Sequence, residues 1–229
     1  MPSNIFPFFI LKMNFNHLRK KNNYTCDESQ ITSVYFNDLE NKLIDKIRGA
    51  DYVMGCVSWL TNSTIIEELE KKKGVKIIIQ KENFLKRDFS HYICFNKYFI
   101  DLRKGYKSLP NLFNNISNLI IPEESAIHQL CTKKLTDDDE FDAVRCFGYT
   151  NKKYKPLMHH KFLVFFDNNL KPTGVWTGSY NITNNANKSL DNVIFSKEEN
   201  IINAYIDEFE QFLFLSEKLN WTNTNPADS

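Results

Sequence analysis

The chain has 229 residues, of which 42% are hydrophobic and 25% charged, and its net charge is +1. This composition is typical of a soluble globular protein, for which one compact domain is the default at this length, although two small ones would also fit. The near-zero charge excludes a strongly basic surface that coats nucleic acid, but it is compatible with a local basic cleft.

The cysteines and the chain ends indicate the compartment and the domain limits. Five cysteines without a C-x-x-C spacing favour a reducing compartment, so we expect a cytoplasmic protein. Residues 2–11 are apolar, but the stretch is short and follows no basic residue, so it predicts neither a secretory signal nor a membrane span. We expect an N-terminal arm over residues 1–30, a main domain over 31–219 and a polar tail over 220–229.

Hydrophobic periodicity in the first half predicts alternating helices and strands. These are a helix over 37–49, a strand over 51–59, a helix capped by Asn62 or Ser63, and a continuous apolar strand over 75–80. Strand, helix and strand within about 30 residues predict a parallel pair of strands.

The second half begins with a weakly patterned region, residues 84–142, which we interpret as an insertion of unassigned function with helices around 95–102 and 109–119. It is followed by a strand over 143–148, a hairpin of 157–166 with 175–178, a strand over 192–195 and an amphipathic helix over 200–215. Together the elements predict an α/β fold in a single domain. Its mixed, mostly parallel β-sheet would be flanked by helices on both faces.

One short pattern carries chemistry. His159 and Lys161 are two residues apart in the apolar run 157–166, and in a strand such a pair points to the same face. An imidazole beside an ammonium group suits phosphate chemistry, because one group can attack while the other holds negative charge. His160 would point to the opposite face, and we expect it to be structural.

A glycine turn completes the pattern. Gly178–Asn181, with the sequence Gly-Ser-Tyr-Asn, predicts a tight turn with two hydrogen-bonding side chains. With His159, Lys161 and Asp167, this turn resembles the motif of the phospholipase D superfamily, H-x-K, then D, then G-S-x-N. The chain holds one copy of the motif, and the resemblance covers residues 51–80 loosely and 157–215 better.

The resemblance implies a metal-independent phosphodiesterase that forms a phospho-histidine intermediate and needs no cofactor. His159 would be the nucleophile or the acid, and Lys161 and Asn181 would hold phosphate oxygens. Ser179 would support phosphate binding or the turn. Asp191 matches the position where the family has an acidic residue that orients the histidine ring, which fixes its tautomer.

Asp167 departs from the family spacing. The family has four residues between Lys and Asp, whereas this chain has five, 162–166. Either a bulge absorbs the extra residue, or Asp167 is a turn residue of the hairpin rather than part of the site. Trp59 could line a site or pack, and we expect packing.

The resemblance implies a phosphodiester substrate, and the leading interpretation is nucleic acid. Small single-motif members of the family include metal-independent nucleases that work as homodimers, so we expect a dimeric endonuclease acting on DNA or RNA. Lys152, Lys153 and Lys155 either contact its phosphates or form a solvated loop. A phospholipase or cardiolipin-type hydrolase, and a catalytically degenerate nucleic-acid-binding module, remain as alternatives.

Overall fold

The computed structural model of the protein describes residues 24–25, 31–86, 97–116, 142–148 and 157–221. Most of the predicted N-terminal arm, much of the predicted insertion and nearly all of the polar tail lie outside these ranges. Within them the strands are β1 (Tyr24–Thr25), β2 (Thr32–Tyr35), β3 (Tyr52–Val57), β4 (Gly74–Gln80), β5 (Val144–Phe147), β6 (Lys161–Phe166), β7 (Pro172–Gly178), β8 (Val193–Ser196) and β9 (Glu217–Lys218). The helices are α1 (Leu39–Arg48), α2 (Ser63–Glu70), α3 (Lys97–Ser108), α4 (Leu112–Ile116) and α5 (Glu199–Leu215).

All described strands belong to one mixed sheet, in the order β1-β2-β8-β7-β6-β3-β4-β5-β9. The pairs β3–β4 and β4–β5 are parallel, and the other described pairs are antiparallel. The α/β class and the mixed sheet are therefore confirmed, but the expectation that most pairs would be parallel is wrong. One reason lies in the hairpin of β6 and β7, where the short connection 167–171 returns the chain antiparallel, whereas a parallel crossover needs a dozen residues or more.

Helices cover both faces of the sheet, as predicted. Leu39, Leu43, Ile44 and Ile47 form the buried stripe of α1, which packs with α2 and α3 in a core on one face. The buried side of α5 forms a second core on the other face. Because both faces are covered, β3 and β4 are buried along their whole length.

Local capping agrees with the sequence. The Asn62 side chain accepts a hydrogen bond from the backbone N–H of Ile65 at 3.1 Å and so starts α2. Among the described residues, no helix is both long enough and apolar enough to cross a bilayer.

The motif strand is shorter than predicted. β6 begins at Lys161, so His159 and His160 precede it. The hairpin of β6 and β7 is confirmed, and its register shifts between Phe165 and Phe166. Beyond the shift, Asp167 Oδ1 accepts the backbone N–H groups of Asn169 and Lys171 at 2.9 Å each, which makes Asp167 a turn residue.

Candidate active site

The topology brings the motif residues to one edge of the sheet. β6 begins there and β7 ends there, because Phe162 pairs with Thr177. β8 begins at the same edge, opposite Gly178, and the parallel strands β3 and β4 end at it. Residues that are distant in sequence therefore meet at this edge, whereas Asp167 lies at the other end of β6. The six residues of β6 separate the two ends by about 20 Å.

His159 and Lys161 lie side by side, as the spacing predicts. Lys161 Nζ is 3.3 Å from Nδ1 and 3.2 Å from Nε2 of the imidazole, and it donates to the His159 carbonyl oxygen at 2.9 Å. It also donates to the Ser58 hydroxyl at 3.4 Å. The lysine is thus held by groups just outside two neighbouring strands, β3 and β6, with its charge next to the ring.

The electrostatics of this pair favour an unprotonated imidazole. Partial desolvation, the Lys161 charge and the neighbouring His160 lower the pKa of His159. Burial also lowers the pKa of Lys161, and the Asp191 charge opposes that shift. His159 is exposed to solvent. A neutral, accessible imidazole beside a cation can attack an electrophilic phosphorus.

The structure shows Gly178–Asn181 as the end of β7 followed by a bend, and this segment keeps the name of the Gly178–Asn181 turn here. Ser179 attaches it to the residues just before β8. The Ser179 hydroxyl donates to Asp191 Oδ1 at 2.7 Å and accepts the backbone N–H of Asn192 at 3.1 Å. The Ser179 N–H donates to the Asn192 carbonyl at 2.9 Å. Gly178 allows this close approach, because a Cβ there would lie 2.1 Å from the Asn192 carbonyl oxygen.

Asn181 carries an unsatisfied amide. Its Oδ1 is buried and has no hydrogen-bond partner among the described residues. A buried polar atom without a partner costs roughly 1–3 kcal/mol, so most such atoms in native proteins are paired. Oδ1 is an acceptor and cannot bind phosphate oxygens, so a contact between Asn181 and a phosphate would have to come from its Nδ2–H groups.

Asp191 and His160 have clear partners. Asp191 accepts from Ser179 and, within the described part of the chain, makes no hydrogen bond to His159, so its predicted role in orienting that ring stays a prediction. His160 Nε2 is 3.0 Å from Glu208 Oε1 of α5, and its ring contacts Phe212 with centroids 5.0 Å apart. His160 thus faces the opposite side of the sheet from His159, as predicted.

Two further residues lie near His159: Trp59, for which the sequence interpretation favoured packing over lining a site, and Glu82, which it did not name. The Trp59 ring meets the His159 ring edge to face, with centroids 5.6 Å apart and planes at 81°. Trp59 Nε1 donates to Glu82 Oε1 at 3.0 Å. Their positions in the sequence could have indicated a place near the site, because both residues closely follow the ends of adjacent parallel strands, β3 and β4. Lys152, Lys153 and Lys155 lie outside the described residues.

No metal centre accompanies these residues in the ranges that the structure describes. There, His, Cys, Asp and Glu side chains do not gather in threes in a way that could hold a metal ion.

Comparison with known proteins defines the family. Residues 27–213 match the family described as "Cardiolipin synthase, PLD-like domain". The chain is also 37% identical over 217 residues to an uncharacterized protein of Acanthamoeba polyphaga mimivirus, an alignment that covers 93% of this chain and 76% of that protein. The chain therefore belongs to the phospholipase D superfamily of phosphodiesterases.

The chain is also similar to two solved structures. NucT from Helicobacter pylori has a TM-score of 0.49 at 16% identity, and the match covers 82% of this chain and 98% of NucT. Nuc from Salmonella typhimurium, a phospholipase D family member, has a TM-score of 0.46 at 14% identity, with 83% and 98% covered.

Proposed function

We propose that this protein is a metal-independent nuclease that hydrolyses phosphodiester bonds of nucleic acid through a phospho-histidine intermediate at a homodimer interface. The observation that carries the proposal is the His159 imidazole with Lys161 Nζ within 3.3 Å of both ring nitrogens, at the same sheet edge as the Gly178–Asn181 turn.

The chemistry follows from these groups. Neutral His159 attacks phosphorus, the bond from phosphorus to the leaving oxygen breaks, and a nitrogen–phosphorus bond forms. Lys161 and the Nδ2–H groups of Asn181 stabilise the negative charge on the non-bridging oxygens. An acid must protonate the leaving oxygen, and the same group must then take a proton from the water that hydrolyses the intermediate. That group is a second imidazole.

A homodimer supplies the second imidazole. The chain holds one motif, so a two-fold axis beside His159 would place the same residue of another copy across one phosphate. Two exposed apolar side chains support an interface at this edge, since Leu157 is 49% exposed two residues before His159 and Leu190 is 54% exposed next to Asp191. Such an interface would bury on the order of 1,200 Å² or more in total.

Nucleic acid is preferred as the substrate because of the lysines that precede the motif. Lys152, Lys153 and Lys155 come shortly before His159 in the sequence and would contact backbone phosphates. One observation supports the alternative of a phospholipase or cardiolipin-type hydrolase, namely that the family description names cardiolipin synthase. Binding of nucleic acid through its phosphates should weaken steeply as the salt concentration rises, whereas binding of a lipid through burial of its acyl chain should not.

The test is hydrolysis in EDTA by the wild type, His159→Ala and, as a matched control, His160→Ala. Substrates are bis(p-nitrophenyl) phosphate, single- and double-stranded DNA, RNA, and vesicles containing cardiolipin. We expect EDTA-resistant cleavage of nucleic acid that His159→Ala abolishes and His160→Ala largely keeps. Cleavage of vesicles alone would establish the lipid alternative, and activity restored only by a divalent ion would disprove the metal-independent mechanism.

Mixing tests the composite site. Excess His159→Ala should poison wild-type activity, because heterodimers would hold one His159 instead of two. Full activity of a monomer, shown by sedimentation at the assay concentration, would disprove the dimeric mechanism.

A further inference from the structure

His159 lies outside the strands that the structure describes. It precedes β6, which begins at Lys161, and its side chain is exposed. Contacts with neighbouring side chains can therefore help to set the orientation of its ring. Asp191, the carboxylate expected to orient it, accepts a hydrogen bond from the Ser179 hydroxyl, and its role toward the ring stays a prediction.

Trp59 makes a ring contact that can hold the His159 ring in one orientation. The two rings meet at 81° with centroids 5.6 Å apart, an arrangement that aromatic pairs prefer. Lys161 Nζ lies over the same indole, 5.9 Å from its centroid. One side chain thus contacts both members of the His159–Lys161 pair.

The indole is itself fixed on its far side. Trp59 Nε1–H donates to Glu82 Oε1 at 3.0 Å, and hydrogen bonds to a carboxylate are stronger than those between neutral groups. The backbone just before Trp59 is also fixed, because the Ser58 N–H donates to the His160 carbonyl at 2.9 Å and the Ser58 carbonyl accepts from the Gln80 N–H at 3.1 Å. The indole has little freedom to turn away from His159.

We propose that Trp59 and Glu82 are positioning residues, in which the carboxylate holds the indole and the indole holds the His159 ring in its attacking orientation. The inference rests on the proposed function, since it assigns a role in the same reaction. Neither residue needs to touch the phosphate.

This role predicts a specific kinetic pattern. Misplacing a reacting group by about 1 Å can cost on the order of 10²-fold in rate, so Trp59→Leu should lower kcat by roughly 10- to 100-fold. KM should change little, because the groups that hold the phosphate remain. Trp59→Phe keeps an aromatic ring but has no N–H, and it should retain more activity than Trp59→Leu.

A double-mutant cycle tests whether Glu82 acts through the indole. Glu82→Ala should lower kcat several-fold in the wild type but cause no further loss in the Trp59→Phe protein, where the N–H is already absent. Glu82→Gln, which keeps an acceptor oxygen, should retain most activity. The matched control is Glu67→Ala, which removes an exposed carboxylate of α2 and should leave kcat unchanged. The proposed role of Glu82 would be overturned if Glu82→Ala lowered kcat equally in the wild type and in Trp59→Phe. It would also be overturned if Glu82→Gln lowered kcat as much as Glu82→Ala.

NMR gives a readout that needs no turnover. The Cε1–H resonance of His159, assigned by its loss in His159→Asn, should shift in Trp59→Leu because the indole ring current is removed. Glu82→Ala should shift it less, and Glu67→Ala not at all. If the wild type hydrolyses no diester, the proposed function fails on its own account and these spectra still decide the ring contact. An unmoved resonance, or a folded Trp59→Leu with full kcat, would overturn the inference.

Discussion

Gly178→Ala tests whether the close approach of β7 and β8 holds the active-site turn in place. The added Cβ would lie 2.1 Å from the Asn192 carbonyl oxygen and 2.8 Å from the Val193 Cα. Both of those atoms belong to the backbone, so rotation of a side chain cannot relieve the clash.

The size of the effect follows from these distances. A carbon–oxygen contact needs roughly 3.3 Å, so the two backbones must separate by about 1 Å. The three hydrogen bonds between Ser179 and residues 191–192 span this gap and would lengthen. Overpacking of this kind typically costs about 1–3 kcal/mol of stability, and a 1 Å displacement of the turn can lower the rate on the order of 10²-fold.

The assay combines urea denaturation with hydrolysis of the substrate established for the wild type, with activity expressed per folded molecule. Gly49→Ala is the matched control, because Gly49 has φ −74° and a Cβ there would be 3.5 Å from its nearest neighbour, the Asp45 carbonyl oxygen. It should be neutral or stabilising by about 0.4–1 kcal/mol. Wild-type stability and turnover in Gly178→Ala would refute the reasoning.

Three further predictions concern charge and the hairpin turn. Because desolvation and the Lys161 charge lower the pKa of His159 from 6.5, the acidic limb of kcat/KM should lie below that pH, and Lys161→Met should raise the His159 pKa in an NMR titration. Hydrogen bonds, first of all from Arg48, hold the pKa of Glu68 at about 2, so part of the stability should be lost as pH falls from about 4.5 to about 2. Glu68→Gln should flatten that part of a stability–pH profile measured by denaturation, and an unchanged profile would contradict the assignment. Asp167→Ala should lower the free energy of unfolding by about 1 kcal/mol, since it loses two accepted hydrogen bonds, but keep most turnover; a collapse of kcat in folded protein would place Asp167 in the site.

Local patterns predicted the helices and the His159–Lys161 pair well. The stripe of α1, the Asn62 cap of α2 and the buried side of α5 depend on spacing along one segment. The common side of His159 and Lys161 likewise needs only the two-residue period of extended chain, even though His159 precedes the strand.

What the sequence could not supply depends on contacts between distant segments. Trp59 and His159 are separated by 99 intervening residues, and their contact exists because β3 and β6 are neighbours in the sheet. The partner of Asp191 could not be predicted either, since the Ser179 hydroxyl is in reach only after β7 and β8 pair. Asp167 was left between a turn and a site role, and two backbone N–H groups at one oxygen place it in the turn.

The two ends of the hairpin of β6 and β7 differ in function, because only one of them carries reacting groups. The open end carries His159, Lys161 and Ser179, while the closed end, around Asn168 and Asn169, is exposed and about 20 Å away along the strand. Changes of length at the closed end leave the reacting groups where they are, so the number of residues between Lys161 and Gly178 is a poor criterion for judging whether a related chain is active. The same tip is a natural place to insert an affinity tag or a fluorophore, because exposed loop tips tolerate insertions best.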